Sequence, residues 1–314
     1  MPTGAGVSIM RFSSATQWAR HVRANRYNYL FISLAVLGVV FFKLGPMVAS
    51  LVFSLTHYDV LSPPRFIGLS NFIQLASDPR FLKAVVDTVY YVVVGLPVRL
   101  LIALGAAILL NQKVKAIGIF RTIFYLPAVT AGVAISLLWK LIYEPGFGLL
   151  TSAVNAVGLK SPGWLNSTTW AMPSIIIMMA FNIGQFMLIF LGGLQNVPDQ
   201  LYEAVELDGG GEWRKFVHVT LPHLSPVIFF NIVIGLIDMM QMFTQVYVLT
   251  QGGPLDSTLV YVLYIYQTAF QSLRMGYASA LSWVLFVVLL GLTLFQFKLS
   301  GTWVYYRSGT ETRR

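Results

Sequence analysis

Cysteine is absent from all 314 residues, so the chain forms no disulfide and offers no thiolate as metal ligand or nucleophile. Charge is scarce too: Asp, Glu, Lys and Arg make up 11% of the residues, against about 25% in a typical soluble chain. No Gly-Lys dipeptide occurs, which excludes the G-x-x-x-x-G-K-[ST] phosphate loop, and neither H-E-x-x-H nor G-x-S-x-G is present. The chain therefore has no usual route to ATP, no helical zinc pair and no nucleophile elbow. His218 and His223 stand five apart and do not share a helical face, while His21 and His57 fall on opposite sides of the expected membrane, so no metal site is expected. What remains is apolar. With 56% hydrophobic residues and mean hydropathy +0.71, this is an integral membrane protein of the all-α class.

Crossing about 30 Å of hydrocarbon takes around twenty apolar helical residues. Six stretches qualify, near 29–56, 85–110, 122–143, 172–194, 224–247 and 277–299. Residues 259–270 are apolar but too short to span, which suits an interfacial or re-entrant helix. The expected organisation is an N-terminal segment 1–28, a first transmembrane helix 29–56, an external loop 57–84, a five-helix core 85–299 and a tail 300–314.

The net charge of +9 reads as topology, because the basic residues cluster beside apolar spans and aromatic RNA-binding motifs are missing; no nucleic-acid partner is expected. With six spans the inner side holds Arg11, Arg20, Arg23, Arg26, Lys113, Lys115, Arg121, Arg214, Lys215, Lys298, Arg307, Arg313 and Arg314. The outer side holds Arg65, Arg80, Lys83, Lys140, Lys160 and Arg274, with Lys43 and Arg99 left in the membrane. That asymmetry predicts both termini in the cytoplasm. A seventh span would put the C-terminus outside. Five further spans follow the first, and it lacks a convincing small-residue cleavage site, so it reads as an uncleaved helix rather than a signal peptide.

One polar stretch of about twenty residues, LYEAVELDGGGEWRKFVHVTLP from Leu201 to Pro222, interrupts this pattern. Asn196 is expected to cap a short helix, Pro198 to sit in its first turn, and Asp199 and Glu203 to lie near the positive end of its dipole. Gly209, Gly210 and Gly211 should stop it. Leu201, Ala204 and Val205 share one face, and Trp213, Phe216 and Val217 repeat the spacing in a second helix. By spacing alone the stretch equally suits an amphipathic loop lying on the headgroups.

Glu203-Ala204-Val205, Gly209 and Val219-Thr220-Leu221-Pro222 resemble the cytoplasmic EAA loop of permease subunits from binding-protein-dependent ABC importers. Val205 stands where that loop has a second Ala, and Gly210 where Ala is more usual. Phe66-Ile67-Gly68-Leu69-Ser70-Asn71-Phe72 is similar to the external segment after the first helix of carbohydrate-type permeases. The run Gln241 to Pro254 and the run Met275 to Trp283 are similar to the last two helices of the sugar and glycerol-phosphate branch, the maltose-type permeases. The resemblance implies a type I importer permease fold in the cytoplasmic membrane of a prokaryote, with the coupling loop at 196–222. It implies a homologous second permease subunit, two ATPase subunits that bind ATP and Mg in place of any cofactor in this chain, and an external solute-binding protein. A carbohydrate or related polyol would be the solute. In this chain Glu203, Ala204, Asp208, Gly209, Trp213, Phe216 and Pro222 would form the ATPase-coupling loop, Glu203 and Asp208 as polar contacts and Trp213 and Phe216, with Val217, as its packing face.

A charge at the bilayer centre costs around 2.5–3.5 kcal/mol on insertion scales, so polar residues inside spans should face protein or water. Asn182 and Gln185 in the fourth span, and Asn231, Asp238, Gln241 and Gln245 in or near the fifth, are the candidate solute pathway. Asp238, Gln241 and Gln245 form a stripe at i, i+3, i+7 if the helix is continuous. Asp238 reads as the only acid deep in a span, and Arg99 as its partner; both also fit plain structural glue. Tyr247, Tyr261, Tyr264 and Trp164 are aromatic faces available to a sugar on the outer side. Two other classes are open: a secondary transporter, which would show internal repeats or broken helices around an ion site, and an intramembrane enzyme, which needs a catalytic pair on facing helices.

Overall fold

A computed structural model describes residues 26–112 and 115–304. Arg11, Arg20, His21, Arg23, Lys113, Arg307, Arg313 and Arg314, with most of both terminal segments, lie outside the described residues. The first span, Tyr27–Ser54, joins α1 (Arg26–Val39) and α2 (Gly45–Ser54) through a π turn at Val40–Leu44 that carries the exposed Lys43. Its most apolar stretch has no buried residue, and it meets the rest of the chain chiefly where α2 packs on the last helix.

Outside the first span, β1 (Thr56–His57) pairs antiparallel with β2 (Arg65–Phe66), with Thr56 opposite Phe66. The short α3 (Ser70–Ala76) follows. Asn71, buried, donates from Nδ2 to the carbonyls of Ser54 and Thr56 at 2.8 and 2.9 Å, which fastens α3 to the end of the first span.

The second span, α4 (Pro79–Leu110), begins well before the expected position 85. Asp78 caps it by accepting from the backbone N–H groups of Arg80 and Phe81. Charge does not delay the start because each charge is paired: Arg80 with Asp256 at 2.9 Å, and Lys83 with Asp87 one turn on. Asp87, in the third turn of the helix, is buried as well.

The expected third and fourth spans are each broken. In the third, α5 (Ile117–Val129) and α6 (Gly132–Ile142) meet at 100°; in the fourth, α8 (Ala171–Phe181) and α9 (Gly184–Gln195) meet at 44°, and the external α7 (Leu149–Ala156) lies between the two pairs. Then come α10 (Asp199–Leu207), α11 (Glu212–Lys215), a π turn at Phe216–Thr220 and α12 (Leu221–Met240). The helix runs unbroken from Glu212 to Met240 as the fifth span, so it starts well before Leu224 and stops short of Tyr247. Beyond it lie α13 (Thr244–Leu249), α14 (Tyr261–Tyr266) with a π turn at Gln267–Gln271, and the sixth span α15 (Met275–Trp303). As expected, the apolar stretch around α14 is too short to cross. Among the described residues four helices are long and apolar enough to span, and six when each bent pair counts as one.

Two apolar clusters hold the bundle. The outer one gathers Tyr91, Leu96, Ile175, Met179, Met239, Leu259, Tyr261 and Leu281. The inner one gathers Ala103, Ala107, Ile183, Phe186, Phe190 and Leu224. Among buried members, the second span has a gap from Leu96 to Ala103, bridged by the half-buried Leu100 that packs on both clusters, and the fourth a gap from Met179 to Ile183. Arg99 and Asn182 sit in those gaps.

At the outer face the sixth span starts against the end of the first. The Gly276 N–H donates to the Tyr58 carbonyl at 3.0 Å, and a Cβ on Gly276 would lie 2.2 Å from the Thr56 carbonyl oxygen. Gly276→Ala should destabilise the chain by roughly 1–3 kcal/mol through overpacking, lowering its thermal midpoint in detergent. Gly291→Ala, where nothing lies within 4 Å of the new Cβ, should leave the midpoint in place.

Candidate functional site

The three interruptions in the spans meet at one place. At the fourth-span break Asn182 leaves helical geometry (φ −91°, ψ 65°), and Gly184 opens α9 so close to α5 that a Cβ would lie 2.9 Å from Ala128 Cβ and from Tyr125 Cα. The third-span break follows directly, with Thr130 extended at ψ 140° and Gly132 opening α6. Beside Gly132 lies Gln245, whose Nε2 would be 3.6 Å from an added Cβ, and Gln245 belongs to α13 beyond the end of the fifth span. Irregular backbone at membrane depth persists only where protein or water satisfies it.

Arg99 satisfies this one. From α4 it donates through Nε (3.0 Å) and Nη2 (2.8 Å) to the Asn182 carbonyl, and through Nη1 (2.8 Å) to Asp238 Oδ2 on α12. Its guanidinium lies over the Phe186 ring at 4.5 Å. The arginine is buried, but the Asp238 side chain keeps 54% of its surface exposed, and no hydrogen bond reaches its Oδ1 among the described residues. The expected partnership of Arg99 and Asp238 is thus present.

Gln185 and Gln241 are exposed, and Asn182 and Gln245 half-buried. Asp238, Gln241 and Gln245 do not form a stripe on one helix: α12 ends at Met240, Gln241 caps it, and Gln245 lies on α13 after a non-helical Phe243. Arg99, rather than helical periodicity, links Asn182 to Asp238, while Gln245 lies beside the third-span break at Gly132. Asn231 is fully buried, with neither side-chain polar atom bonded among the described residues, and so lies off the exposed set.

The outer aromatic faces are mostly spoken for. Trp164 is buried and donates to Thr151 Oγ1; Tyr261 is buried and donates to the Leu281 carbonyl. Tyr264 and Tyr277 both donate to Asp78 Oδ2, the latter at 2.6 Å. Burial alone would raise the Asp78 carboxyl, but these two hydroxyls and the N–H groups of Phe81 and Arg80 outweigh it and hold it below the usual carboxylate range. Tyr247 is half-buried, stacked on Phe243 at 5.2 Å.

The polar stretch folds as a helix, a glycine turn and a second helix. Asn196 does not cap α10: its Nδ2 donates back to the Gly192 carbonyl at 2.9 Å and closes α9. Pro198, extended at ψ 132° and without an N–H, precedes α10 instead of entering its first turn. Gly209 takes φ +73°, and the Gly209 and Gly210 N–H groups close the helix on the Glu206 and Val205 carbonyls. Glu203, Ala204, Leu207 and Asp208 are exposed. Trp213 is exposed too, rather than packed inward; its ring lies 5.8 Å from that of Phe216. Both line a groove of about 560 Å³ against Tyr202, Ile108 and Leu194, at the ends of the second and fourth spans, while Pro222 opens α12.

Sequence reasoning missed two polar clusters. One is outer, where Arg80 grips Asp256 through two bonds and Gln267 through a third. The other is Lys215, whose Nζ engages Glu206 and Glu212. Arg80 and Asp256 stand 176 residues apart and Lys215 stands nine from Glu206, so neither of these two pairs has a local signature, whereas Glu212 and Lys215 are an ordinary i, i+3 helix pair.

Residues 72–300, from α3 to the last turns of α15, match the family described as the binding-protein-dependent transport system inner membrane component. The chain belongs to that family. It is 38% identical over 98% of its length to the probable ABC transporter permease protein YesP of Bacillus subtilis (strain 168), all of whose length is matched. It is 35% identical over 95% of its length to the lactose transport system permease protein LacF of Rhizobium radiobacter, with 98% of that chain covered. The fold matches a chain from a bacterial alginate ABC transporter in complex with alginate pentasaccharide-bound periplasmic protein, at TM-score 0.78 and 22% identity, over 90% of this chain and 96% of that one. The protein is therefore a multi-pass permease component with the type I importer fold.

In this permease, removing Arg99 should do more damage than neutralising Asp238. Arg99→Met strips the Asn182 carbonyl of its donors, a loss of roughly 1–3 kcal/mol for an orphaned buried group. Asp238→Asn leaves Arg99 an amide oxygen to donate to. Purified yield and thermal midpoint in detergent should fall clearly for Arg99→Met and only slightly for Asp238→Asn; equal loss would refute this division of labour.

Proposed function

We propose that this permease carries a carbohydrate or related polyol inward across the cytoplasmic membrane, as one of two homologous permease subunits driven by two separate ATPases. The exposed helix–turn–helix knob on an otherwise apolar body carries this reading: it offers Glu203, Asp208 and Trp213 to a partner and connects directly to the fourth and fifth spans. ATP and Mg would be held by the ATPases. An external binding protein would deliver the solute, with both termini of the permease in the cytoplasm. Relatives named for lactose, arabinooligosaccharide and multiple-sugar transport support the solute class, as does the set of hydroxyl-matching groups at the span breaks. Conformational change in the ATPases would move the knob, and the spans would alternate between inward and outward openings.

Coupling is tested at the turn and on the exposed face of α10. Gly209→Val forces a β-branched residue into φ +73°, and Glu203→Lys reverses a charge exposed to the partner. Each should reduce recovery of the ATPases with the permease and abolish most uptake, while the spans fold normally. Normal ATPase recovery and normal uptake in both variants would refute docking at this loop.

The solute path is tested at Asp238 and Gln241. Asp238→Asn and Gln241→Ala should keep the complex assembled yet change the affinity or choice of solute in uptake kinetics. Wild-type kinetics in both would exclude these residues from the path.

A further inference from the structure

Three consecutive glycines between α10 and α11 should leave the two limbs of the knob free to swing. Only Gly209 needs its freedom for a positive φ; Gly211 is extended at φ −81°, ψ 179° and closes no contact that a Cβ would disturb. Gly210 is held closely, its N–H on the Val205 carbonyl at 2.8 Å and an added Cβ only 2.5 Å from Val205 Cγ1, so the freedom that side chains must restrain lies at Gly211.

Lys215 supplies one such link. Its side chain, 12% exposed, lies between the limbs, and its Nζ reaches Glu206 near the end of α10 as well as Glu212 at 2.8 Å on its own helix. The Glu212 pair lies within one helix at i, i+3 and stabilises α11 locally. The Glu206 pair crosses the glycine turn. A second crossing link, Tyr202 Oη to Thr220 Oγ1 at 3.1 Å, joins the limbs farther from the turn. Between them Trp213, Phe216 and Lys215 line an open groove against Ile108 and Leu194 at the span ends.

We propose that Lys215 is a positioning residue that locks the angle of the knob, so that displacement of α10 is passed to the fifth span rather than absorbed by the glycine turn. This rests on the coupling reading above. Without the lock, ATP is hydrolysed while less solute moves, because a loose joint transmits less differential energy between the two states.

The absence of cysteine makes the lock measurable in the full chain. Spin labels at Gln200→Cys and Arg214→Cys, one exposed on each limb, should give a single narrow distance. Lys215→Met and Glu206→Gln should broaden it; Glu212→Gln, which leaves the crossing pair, and Lys215→Arg should not. In the reconstituted complex, solute moved per ATP should fall in the first two variants by up to about fivefold, the range an ion pair with exposed partners supplies, and recover in Lys215→Arg. A distance distribution unchanged in Lys215→Met, with the ATPases bound, would overturn the lock alone. Equal effects of Glu206→Gln and Glu212→Gln would overturn the cross-turn assignment. A wild-type chain that recruits no ATPase would instead overturn the coupling reading, and the lock's role with it.

Discussion

The contact of Arg99 with the Asn182 carbonyl is the constraint around which the transmembrane bundle is arranged. A helix broken at bilayer depth leaves carbonyls that lipid cannot satisfy, and a buried guanidinium in an apolar bundle needs acceptors just as much. Each solves the other's problem. Arg99 spends two donors on the break and one on Asp238, and its remaining face rests on Phe186, the third residue of α9. The second, fourth and fifth spans are thereby joined by polar bonds between the fully buried parts of the two apolar clusters, where Leu100 alone of the second span touches both.

That arrangement also explains why Asp238 can be a half-exposed acid inside a span. Its charge is balanced from the protein side by an arginine that solvent scarcely reaches, while its second oxygen looks outward. An unpaired carboxylate there would bear the full insertion cost, whereas a fully buried pair would bear the desolvation of both charges. Partial pairing keeps a hydrogen-bond acceptor available at tolerable cost.

Much of the span layout was legible because lipid demands long charge-free stretches, and six such stretches stood out. The Arg99–Asp238 pairing was legible for the same reason: two opposite charges at membrane depth must find partners. The breaks were not, because hydropathy averages over them; Asn182 and Thr130 are polar but uncharged, and Gly184 and Gly132 resemble any small residue at a helix contact. Reading α12 as continuous past Met240 placed Gln241 and Gln245 on a helical stripe that the chain does not form. The start of the second span was misjudged for a different reason, since Arg80 and Lys83 counted as lipid-averse until Asp256, 176 residues away, and Asp87 were seen to pair with them. The helix, glycine turn and helix at 199–220 were legible as a pattern, but the Lys215–Glu206 pair that crosses the turn depends on how far it folds back, which no local spacing states.

The two limbs of the knob lead to the two elements that Arg99 ties together. Before the knob, α10 is reached from α9 in only three residues, Asn196 to Pro198, and α9 begins at the break Arg99 satisfies. After it, one unbroken helix runs from Glu212 to Met240, roughly 40 Å at 1.5 Å per residue, and carries Asp238 in its last turn. Helices resist bending and stretching far more than glycine turns or hydrogen-bonded side chains do. A displacement of the knob relative to the second span would thus be delivered, along both limbs, to the same guanidinium. Under the proposed coupling, either the fourth and fifth spans would move together with Arg99 between them, or one of its two attachments would open, and the surroundings of the exposed Asp238 side chain would change with the position of the loop.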